Sequence, residues 1–531
     1  MSSDLVRSRA PIGPFTQPES ITEADRLAPH LDDAAHVPGG YAAALVEPRS
    51  ERDVSEVVRR ATRVLAIGAQ SSLTGGATPR GETLLSTGRL KAIADLADGR
   101  VRVGAGVTLA EIDAHLARRG ALYPPLPTWH GATIGGAIAT NAAGAATFKY
   151  GTTRAWVDEL TVVLASGDVL DLRRGEAMAD RHGTFHVQLG DRLVTVPIPR
   201  YRMPDVPKVS AGYYARPGMD LIDLFIGAEG TLGITTEATL RVRTPRPATC
   251  MAFLTLTERK VALELVARLR TGAMQSWASP GGGLDVSAIE HMDARSLAIL
   301  REDGVDRRLG VRIDSSAVMG LLVALDLPGA AAADEAFKSF AALLQEFDVP
   351  DALVAAPEDR ASLERLLVLR EAVPLGVNQR IGRARREIDG RIEKTAADII
   401  VPFERFDEML TLVDTELQAR GLDGAVWGHI SDGNVHPNIL PRSVAEMEAG
   451  REAVLSFGRT AIRLGGSPLA EHGVGRNETK QRLLKEMYGE DGIEQMRNVK
   501  RVLDPDFKLA PGVIFEPGQT FNRNGSRQQD T

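Results

Sequence analysis

"IGAQSSLTGG", residues 67–76, follows directly on the strand-like run "VLAIG". A turn of small residues straight after a strand exposes backbone N–H groups and lets a phosphate approach the main chain closely. Gly68, Ala69, Gly75 and Gly76 supply the small positions here; Ser71, Ser72 and Thr74 add hydroxyls, and Gln70 is the one long polar side chain. The spacing fits neither a P-loop nor a G-x-G-x-x-G fingerprint. A second stretch, "PTWHGATIGGAIATNAAG" at 127–144, has the same lack of bulk, with Pro127, Thr133, Ile134, Gly135, Gly136, Thr140, Asn141 and Gly144. A third, "IGAEGTLGI" at 226–234, sets one carboxylate, Glu229, among Gly230, Gly233 and Ile234. Each alone reads equally well as a turn or a small-residue packing contact. Together they suit a ligand laid against backbone.

Working outward, short β-like runs alternate with helical patterns from about Gly39 to Thr244. "AALVEP" reads as a strand, "ERDVSEVVRRATRV" as an amphipathic helix burying Val54, Val57, Val58 and Ala61, and "RVRVGAGVTLAEIDAHLARRG" as a strand followed by a Thr-capped helix ending in Gly120. "VDELTVVLASGDVLDL" reads as a hairpin across Ser166-Gly167-Asp168. The alternation predicts an α+β fold, not a plain parallel βαβ series. After Pro245 and Pro247 the helical patterns lengthen, as in "KVALELVARLRTGAM" and "DEAFKSFAALLQEF", with the strand-like "AFLTL", "GLLVALDL" and "ADIIVPF" between them. The expected organisation is a loosely held arm over 1–38, a first domain over 39–245, a second α+β domain over 246–470, a C-terminal helical segment over 471–516 and a disordered tail over 517–531. The Arg-rich run "RIGRARREIDGR" reads as a solvated loop.

Apolar residues make up 43% of the 531 and charged residues 25%, which is ordinary for a globular protein with a large core. A net charge of −7 offers no basic footprint, so nucleic acid is excluded as a partner. A single cysteine, Cys250, rules out an intramolecular disulfide framework and thiolate-rich metal clusters. The first twenty residues lack an apolar signal-peptide core, and the longest apolar run, "AVMGLLVAL" at 317–325, is too short to span a bilayer. The expected location is cytoplasmic, with peripheral docking at a membrane surface left open.

"HISDGNVH", 429–436, places two of the ten histidines around an Asp-Gly step. Asp-Gly signals a two-residue type I′ hairpin turn. With Asp432 and Gly433 as the turn, His436 faces His429, Trp427 and Asn438 form the next pair on that face, and Ile430 and Val435 turn to a core. Two opposed imidazoles begin a metal site. They also fit an ordinary hairpin, and a metal site needs a third ligand from elsewhere.

"SSLTGG", "ATIGGAIATNAAG", "KYGTTR" and "FIGAEGTLGI" occur in the order and rough spacing of the flavin-binding domain of the vanillyl-alcohol oxidase/PCMH-type superfamily. "LREAVP", "EKTAADIIVP", "GHISDGNVHPN", "EHGVGR" and "DPDFKLAPGVIF" resemble the C-terminal half of its FAD-linked oxidase branch, which includes D-lactate, glycolate and D-2-hydroxyglutarate dehydrogenases. The resemblance covers about residues 36–515. It implies a PCMH-type FAD-binding domain, a ferredoxin-like α+β substrate domain and a helical segment that returns to the flavin domain. It implies that loops 67–76 and 133–144 cradle the FAD pyrophosphate, and that Tyr150, Gly151 and Glu229 to Ile234 line the cofactor. Some members attach FAD through a histidine in the first loop. Gln70 stands at that position, so the FAD is expected to be non-covalent. The stretch "LAPG" carries Ala510 where an Asn is common.

In the hydroxy-acid dehydrogenases of this branch, the histidines matching His429 and His436 bind a divalent metal, expected here to be Zn or Mn, with the glutamate matching Glu471. The next residue, His472, matches a base at the flavin. Arg370 and Lys394 match residues that bind the substrate carboxylate, and Asn438 joins them at the site. The implied function is FAD-dependent oxidation of a D-2-hydroxy acid. The implied partners are the small acid and an electron acceptor (a quinone, a cytochrome or an electron-transfer flavoprotein), and a homodimer is compatible with it. The competing readings are an alkylglycerone-phosphate-synthase-like flavoenzyme, whose relatives carry a histidine cluster in place of Glu471-His472, and a non-catalytic electron-carrying flavoprotein.

Overall fold

The 67–76 loop leaves the strand Val64–Ile67, the last in a four-stranded sheet ordered Ser20–Ile21, Ala44–Val46, Thr83–Ser86 and Val64–Ile67. The latter three run parallel. Helix Glu51–Arg60 connects Ala44–Val46 to Val64–Ile67; the Ser50 hydroxyl caps it by accepting from the Asp53 N–H, and Val54 and Val58 are its buried stripe. This computed structural model describes residues 5–125, 127, 129–279, 284–327, 330–349 and 352–516. The expected tail over 517–531 lies outside the described residues.

A five-stranded antiparallel sheet follows, ordered Ile93–Asp95, Val101–Gly104, Ile234–Leu240, Val157–Val163 and Val169–Arg173. The expected hairpin across Ser166-Gly167-Asp168 joins its last two strands. Helix Leu109–Ala117 opens with a capping box between Thr108 and Glu111. The core here takes in Leu84, Val103, Ile138 and Leu224, and also Leu484, Met496 and Val499 from helix Glu478–Leu503. The C-terminal segment thus packs back onto the half of the molecule that carries the three small-residue loops.

Besides a three-stranded sheet of Val6–Arg7, Thr184–Leu189 and Arg192–Pro197, the remaining β structure is one large sheet ordered Leu353–Ala355, Ala248–Leu256, Met319–Leu327, Val286–Asp293, Gly424–Gly428, Asn434–Ile439 and Thr395–Ala396, with Ile399–Ile400 also paired to Asn434–Ile439. Both faces are covered, which explains its nearly unbroken apolar strands. Along Met319–Leu327, the side chains of Leu321, Val323 and Leu325 join a core with Leu265, Met409 and Phe457, whereas Leu322 joins a core with Leu297, Leu366 and Val377 on the opposite face. The chain is α+β throughout. Among the described residues no helix is long and apolar enough to cross a membrane.

Three readings are corrected. Described residues of the N-terminal arm are docked, not loose. Val6–Arg7 pairs with Thr184–Leu189, Arg9 bridges Glu51 and Asp171, and Thr16 binds Asp53 through its N–H and hydroxyl. The Arg-rich run is not a loop up to Glu387, because helix Arg360–Glu387 continues through it and through Pro374. The two-residue turn is also absent. Trp427 pairs with His436 and Ala425 with Asn438, and Ile430–Asp432 coil into a 3-10 turn. Type I′ needs positive φ at both central residues, but only Gly433 has it, at +86°. Two outside contacts set this geometry: Asp432 turns its carboxylate to Lys208, 2.9 Å away, and the Val401 carbonyl packs against Gly433 so closely that a Cβ there would sit 2.1 Å from it.

Candidate active site

The small-residue loops face each other across a cleft of about 290 Å³. Its walls include Gly68, Ala69, Gln70, Ser71, Ser72 and Gly76 from the first loop and Pro127, Thr133, Gly136 and Thr140 from the second. Glu229, Glu471 and His472 complete it. The approach of the loops demands small residues: a Cβ on Gly68 would lie 2.2 Å from the Thr133 hydroxyl. Gln70, Asn141 and Glu229 all adopt left-handed backbone near φ +50°. Such conformations cost roughly 1–3 kcal/mol each at non-glycine residues and collect at ligand clamps. A cleft lined by small residues, with backbone and the hydroxyls of Ser71, Ser72, Thr133 and Thr140 exposed among alanines, lets a phosphate-bearing ligand lie close against the main chain.

Not every expected cofactor residue reaches this cleft. The Thr74 hydroxyl pairs with that of Ser72 at 3.0 Å, beside Gly75. Ile134 and Ile234 are buried in cores, and Gly135 packs on Ala105. Asn141 accepts the Arg154 N–H, and the Gly144 N–H donates to Thr147. Tyr150, just before Gly151, turns its hydroxyl to Asp326 in the large sheet, and Gly233 packs on Val162. Gly230 takes φ +71° in the turn after Glu229. The Gln70 amide nitrogen is engaged by the chain itself, donating to the carbonyls of His30, Asp32 and Ala77.

His429, His436 and Glu471 converge despite the altered hairpin. Their ligand atoms all lie within 4.8 Å of one another, and all three residues are buried. His429 Nε2 is 3.1 Å from Glu471 Oε1, and His436 Nε2 is 3.9 Å from Glu471 Oε2. Ligands around one tetrahedral ion at 2.0–2.2 Å stand roughly 3.3 Å apart, so the set fits a divalent metal. Glu471 and His472 reach one place because the chain turns directly afterwards, at Gly473 (φ +76°) and Gly475 (φ +59°).

Four buried partners were missed by the sequence reading. Glu290 Oε1 lies 2.5 Å from His429 Nδ1, and Arg370 Nε stands 3.3 Å from the other oxygen. Lys208 Nζ binds Glu471 and Asp432. Asp398 holds His472, and Lys480 Nζ lies 3.9 Å from Asp398. Only Glu290 carried a visible signal, an acid in the middle of the strand-like "VSAIEHMD", whose other acid, Asp293, stands at its end. Burial alone would lower the His429 pKa, but Glu290 and Glu471 outweigh it and raise it to about 9. His436 is the reverse, pushed down by burial to about 3. Burial raises Glu290, but Arg370 and His429 prevail and hold it at about 2. The centre is therefore a network of buried acids and cations, with one imidazole, His436, neutral and able to ligate.

Arg370 is thus turned to Glu290, whereas Lys394 pairs with no acid among the described residues. The Lys394 side chain is exposed by surface area, yet enough protein surrounds it that desolvation pushes its pKa down to about 8. Asn438 donates to the His436 carbonyl, and its own amide oxygen is buried without a partner.

A nucleotide-type cleft and a histidine–carboxylate cluster sharing one wall define the class of an FAD-dependent oxidoreductase. Residues 42–173 match the model of an FAD binding domain, and residues 259–514 match that of the FAD linked oxidases' C-terminal domain. The chain is 30% identical to the D-2-hydroxyglutarate dehydrogenase of Xanthomonas citri pv. viticola over 89% of each chain. It is 29% identical to the D-lactate dehydrogenase of Archaeoglobus fulgidus (88% of this chain, 90% of that one) and 27% identical to a glycolate oxidase subunit of Bacillus subtilis (89% and 88%). The protein belongs to this family of FAD-linked D-lactate, D-2-hydroxyglutarate and glycolate oxidoreductases. Two solved structures share the fold. An alkyldihydroxyacetonephosphate synthase aligns with a TM-score of 0.60 at 15% identity (93% of this chain, 82% of that one), and the 4-ethylphenol oxidase of Gulosibacter chungangensis with 0.64 at 16% (94% of each).

Proposed function

We propose that the protein oxidises a small D-2-hydroxy acid of the lactate, glycolate or 2-hydroxyglutarate type to its 2-oxo acid. The hydride passes to non-covalent FAD, and the electrons leave to a quinone, a cytochrome or an electron-transfer flavoprotein. The carrying observation is that Glu471 and His472 lie on the wall of the FAD cleft while Glu471 also closes the His429–His436 cluster. On this reading, residues 39–245 and 471–516 hold the cofactor and residues 246–470 present the substrate.

FAD supplies the two-electron acceptor. A divalent ion, Zn or Mn, would be held by His429, His436 and Glu471, and would supply positive charge for the substrate oxygens and for ionisation of the hydroxyl. The chain does the rest. Lys394 and Arg370 bind the carboxylate, with Asn438 alongside, and so orient the Cα–H bond toward the flavin. His472 Nε2 takes the hydroxyl proton as the C=O bond forms and the hydride departs, so one proton and one hydride leave the acid. Glu290 fixes the His429 ring through Nδ1 and leaves Nε2 for the ion.

Anaerobic titration of the yellow protein with D-lactate, glycolate, D-2-hydroxyglutarate and their L-isomers tests the reading. Bleaching of the flavin by a D-acid or glycolate supports it. A flavin that stays oxidised with every acid overturns it.

A further inference from the structure

Asp398 sits between the two-residue strands Thr395–Ala396 and Ile399–Ile400, both paired to the strand that carries His436. It is 3% exposed. Its Oδ2 accepts the backbone N–H groups of Glu471 and His472, each at 2.9 Å, and lies 3.0 Å from His472 Nδ1. Its Oδ1 is 3.3 Å from the Asn434 amide nitrogen and 3.5 Å from His436 Nδ1. The Ala470 N–H donates to its backbone carbonyl. Side chain and backbone of one residue therefore stitch down the segment bearing both the third ligand and the base.

The chemistry of this contact fixes a proton. An ionised carboxylate only accepts. Asp398 Oδ2 already accepts two backbone N–H groups and has the Lys480 ammonium 3.9 Å away, so it faces His472 as an acceptor. The His472 nitrogen facing it must therefore carry the hydrogen. In the neutral ring that leaves the lone pair on Nε2, which stands 3.9 Å from Glu471 Oε2. Without the carboxylate the ring could take either tautomer and rotate, and half of its states would present an N–H where a base is needed.

We infer that Asp398 is a positioning residue that locks His472 in the Nδ1–H tautomer with Nε2 directed at the cleft, and so makes it the proton acceptor. This rests on the hydroxy-acid oxidation proposed above. The decisive variant is Asp398→Asn. An asparagine oxygen still accepts backbone N–H groups, but its amide would donate to Nδ1 and reverse the tautomer. With the D-acid that bleaches the parent, the limiting rate of flavin reduction is expected to fall about 100- to 10,000-fold, the range of a lost general base. FAD content, Zn or Mn content and the acid's dissociation constant should stay at parent values. The double variant with His472→Ala should be no slower than His472→Ala alone, because one residue acts through the other.

A second readout needs no turnover. In protein labelled with ¹⁵N only at histidine and held at about pH 8.5, above the ordinary imidazole range, the resonances lost in His472→Ala identify that ring. The parent should show a protonated Nδ1 and a bare Nε2, and Asp398→Asn the reverse. Parent-like reduction by Asp398→Asn, deficits that multiply in the double variant, or a protonated Nε2 in the parent would each overturn the inference. The parent spectrum decides even where Asp398→Asn fails to fold or loses its ion. Should no acid bleach the parent flavin, the oxidation reading fails, whereas the tautomer result still stands or falls by itself.

Discussion

In the first small-residue loop Gln70 has φ +49° and engages its amide nitrogen with the carbonyls of His30, Asp32 and Ala77. It has no nucleophilic ring nitrogen, so acid or heat should release all of the flavin into the supernatant. Yellow colour retained by the washed precipitate would count against this. Lys394 gives a second expectation at the same scale. Its ammonium is cationic below about pH 8, so the KM for the acid should hold steady up to there and then rise by about tenfold per further pH unit. In Lys394→Ala the KM should be higher by about 10- to 150-fold, the equivalent of one charge-assisted bond, and lack this rise. An identical rise in the variant would assign the titration elsewhere. Gln70 and Lys394 could be picked out from short motifs. Asp398, Lys208 and Lys480 could not, because their partners lie far off in sequence and no local pattern encodes such a meeting.

Among elements, the hairpin separates what local sequence encodes from what packing adds. Capped and periodic segments such as Glu51–Arg60 and Leu109–Ala117 were legible because their signals lie within the element. The turn at Asp432-Gly433 was not, since Lys208 and the Val401 carbonyl decide its shape. The two histidines still converge, their ring centres 5.6 Å apart. His429→Ala, His436→Ala and Glu471→Gln should each lose most of the bound Zn or Mn by elemental analysis, and pairs of these changes should lose little more than either alone. Full occupancy in any single variant would remove that residue from the set. Gly475 makes a sharper demand, since a Cβ there would lie 2.2 Å from the Thr74 hydroxyl at φ +59°. Gly475→Ala should cost at least about 1–3 kcal/mol and lower both the thermal midpoint and FAD occupancy.

Across the whole molecule, the halves are joined by buried polar contacts as well as apolar ones. Lys149, beside the second small-residue loop, reaches Asp285, just before the strand Val286–Asp293, and Asp326 of the large sheet, at 2.7 and 2.8 Å. Glu229 receives the N–H groups of Val474 and Gly475, both at 2.8 Å, and so ties the third small-residue loop to the segment that carries Glu471 and His472. Burial raises the Glu229 pKa from 4.5 to about 7. Between those values the folded chain holds a proton that the unfolded chain releases, so its contribution to stability is complete below about pH 4.5 and is lost as pH rises through 7. The urea midpoint of the FAD-loaded parent, measured against that of Glu229→Gln, should fall over this window by an amount equivalent to at most about 3 kcal/mol. Parallel curves for the two proteins would mean that Glu229 does not titrate there.

The docking of the arm onto Gln70 couples two events that look unrelated. The Ala34 N–H donates to the Gln70 carbonyl while the Gln70 amide grips His30 and Asp32, so the flavin loop and residues 30–34 share one set of bonds. Coupling free energies are reciprocal: whatever flavin gains from a fastened arm, the arm gains from bound flavin. Protease nicking within 5–38 thus becomes a gauge of cofactor occupancy, slow in the yellow protein and faster after deflavination. A chain nicked there should hold its flavin more weakly at equilibrium.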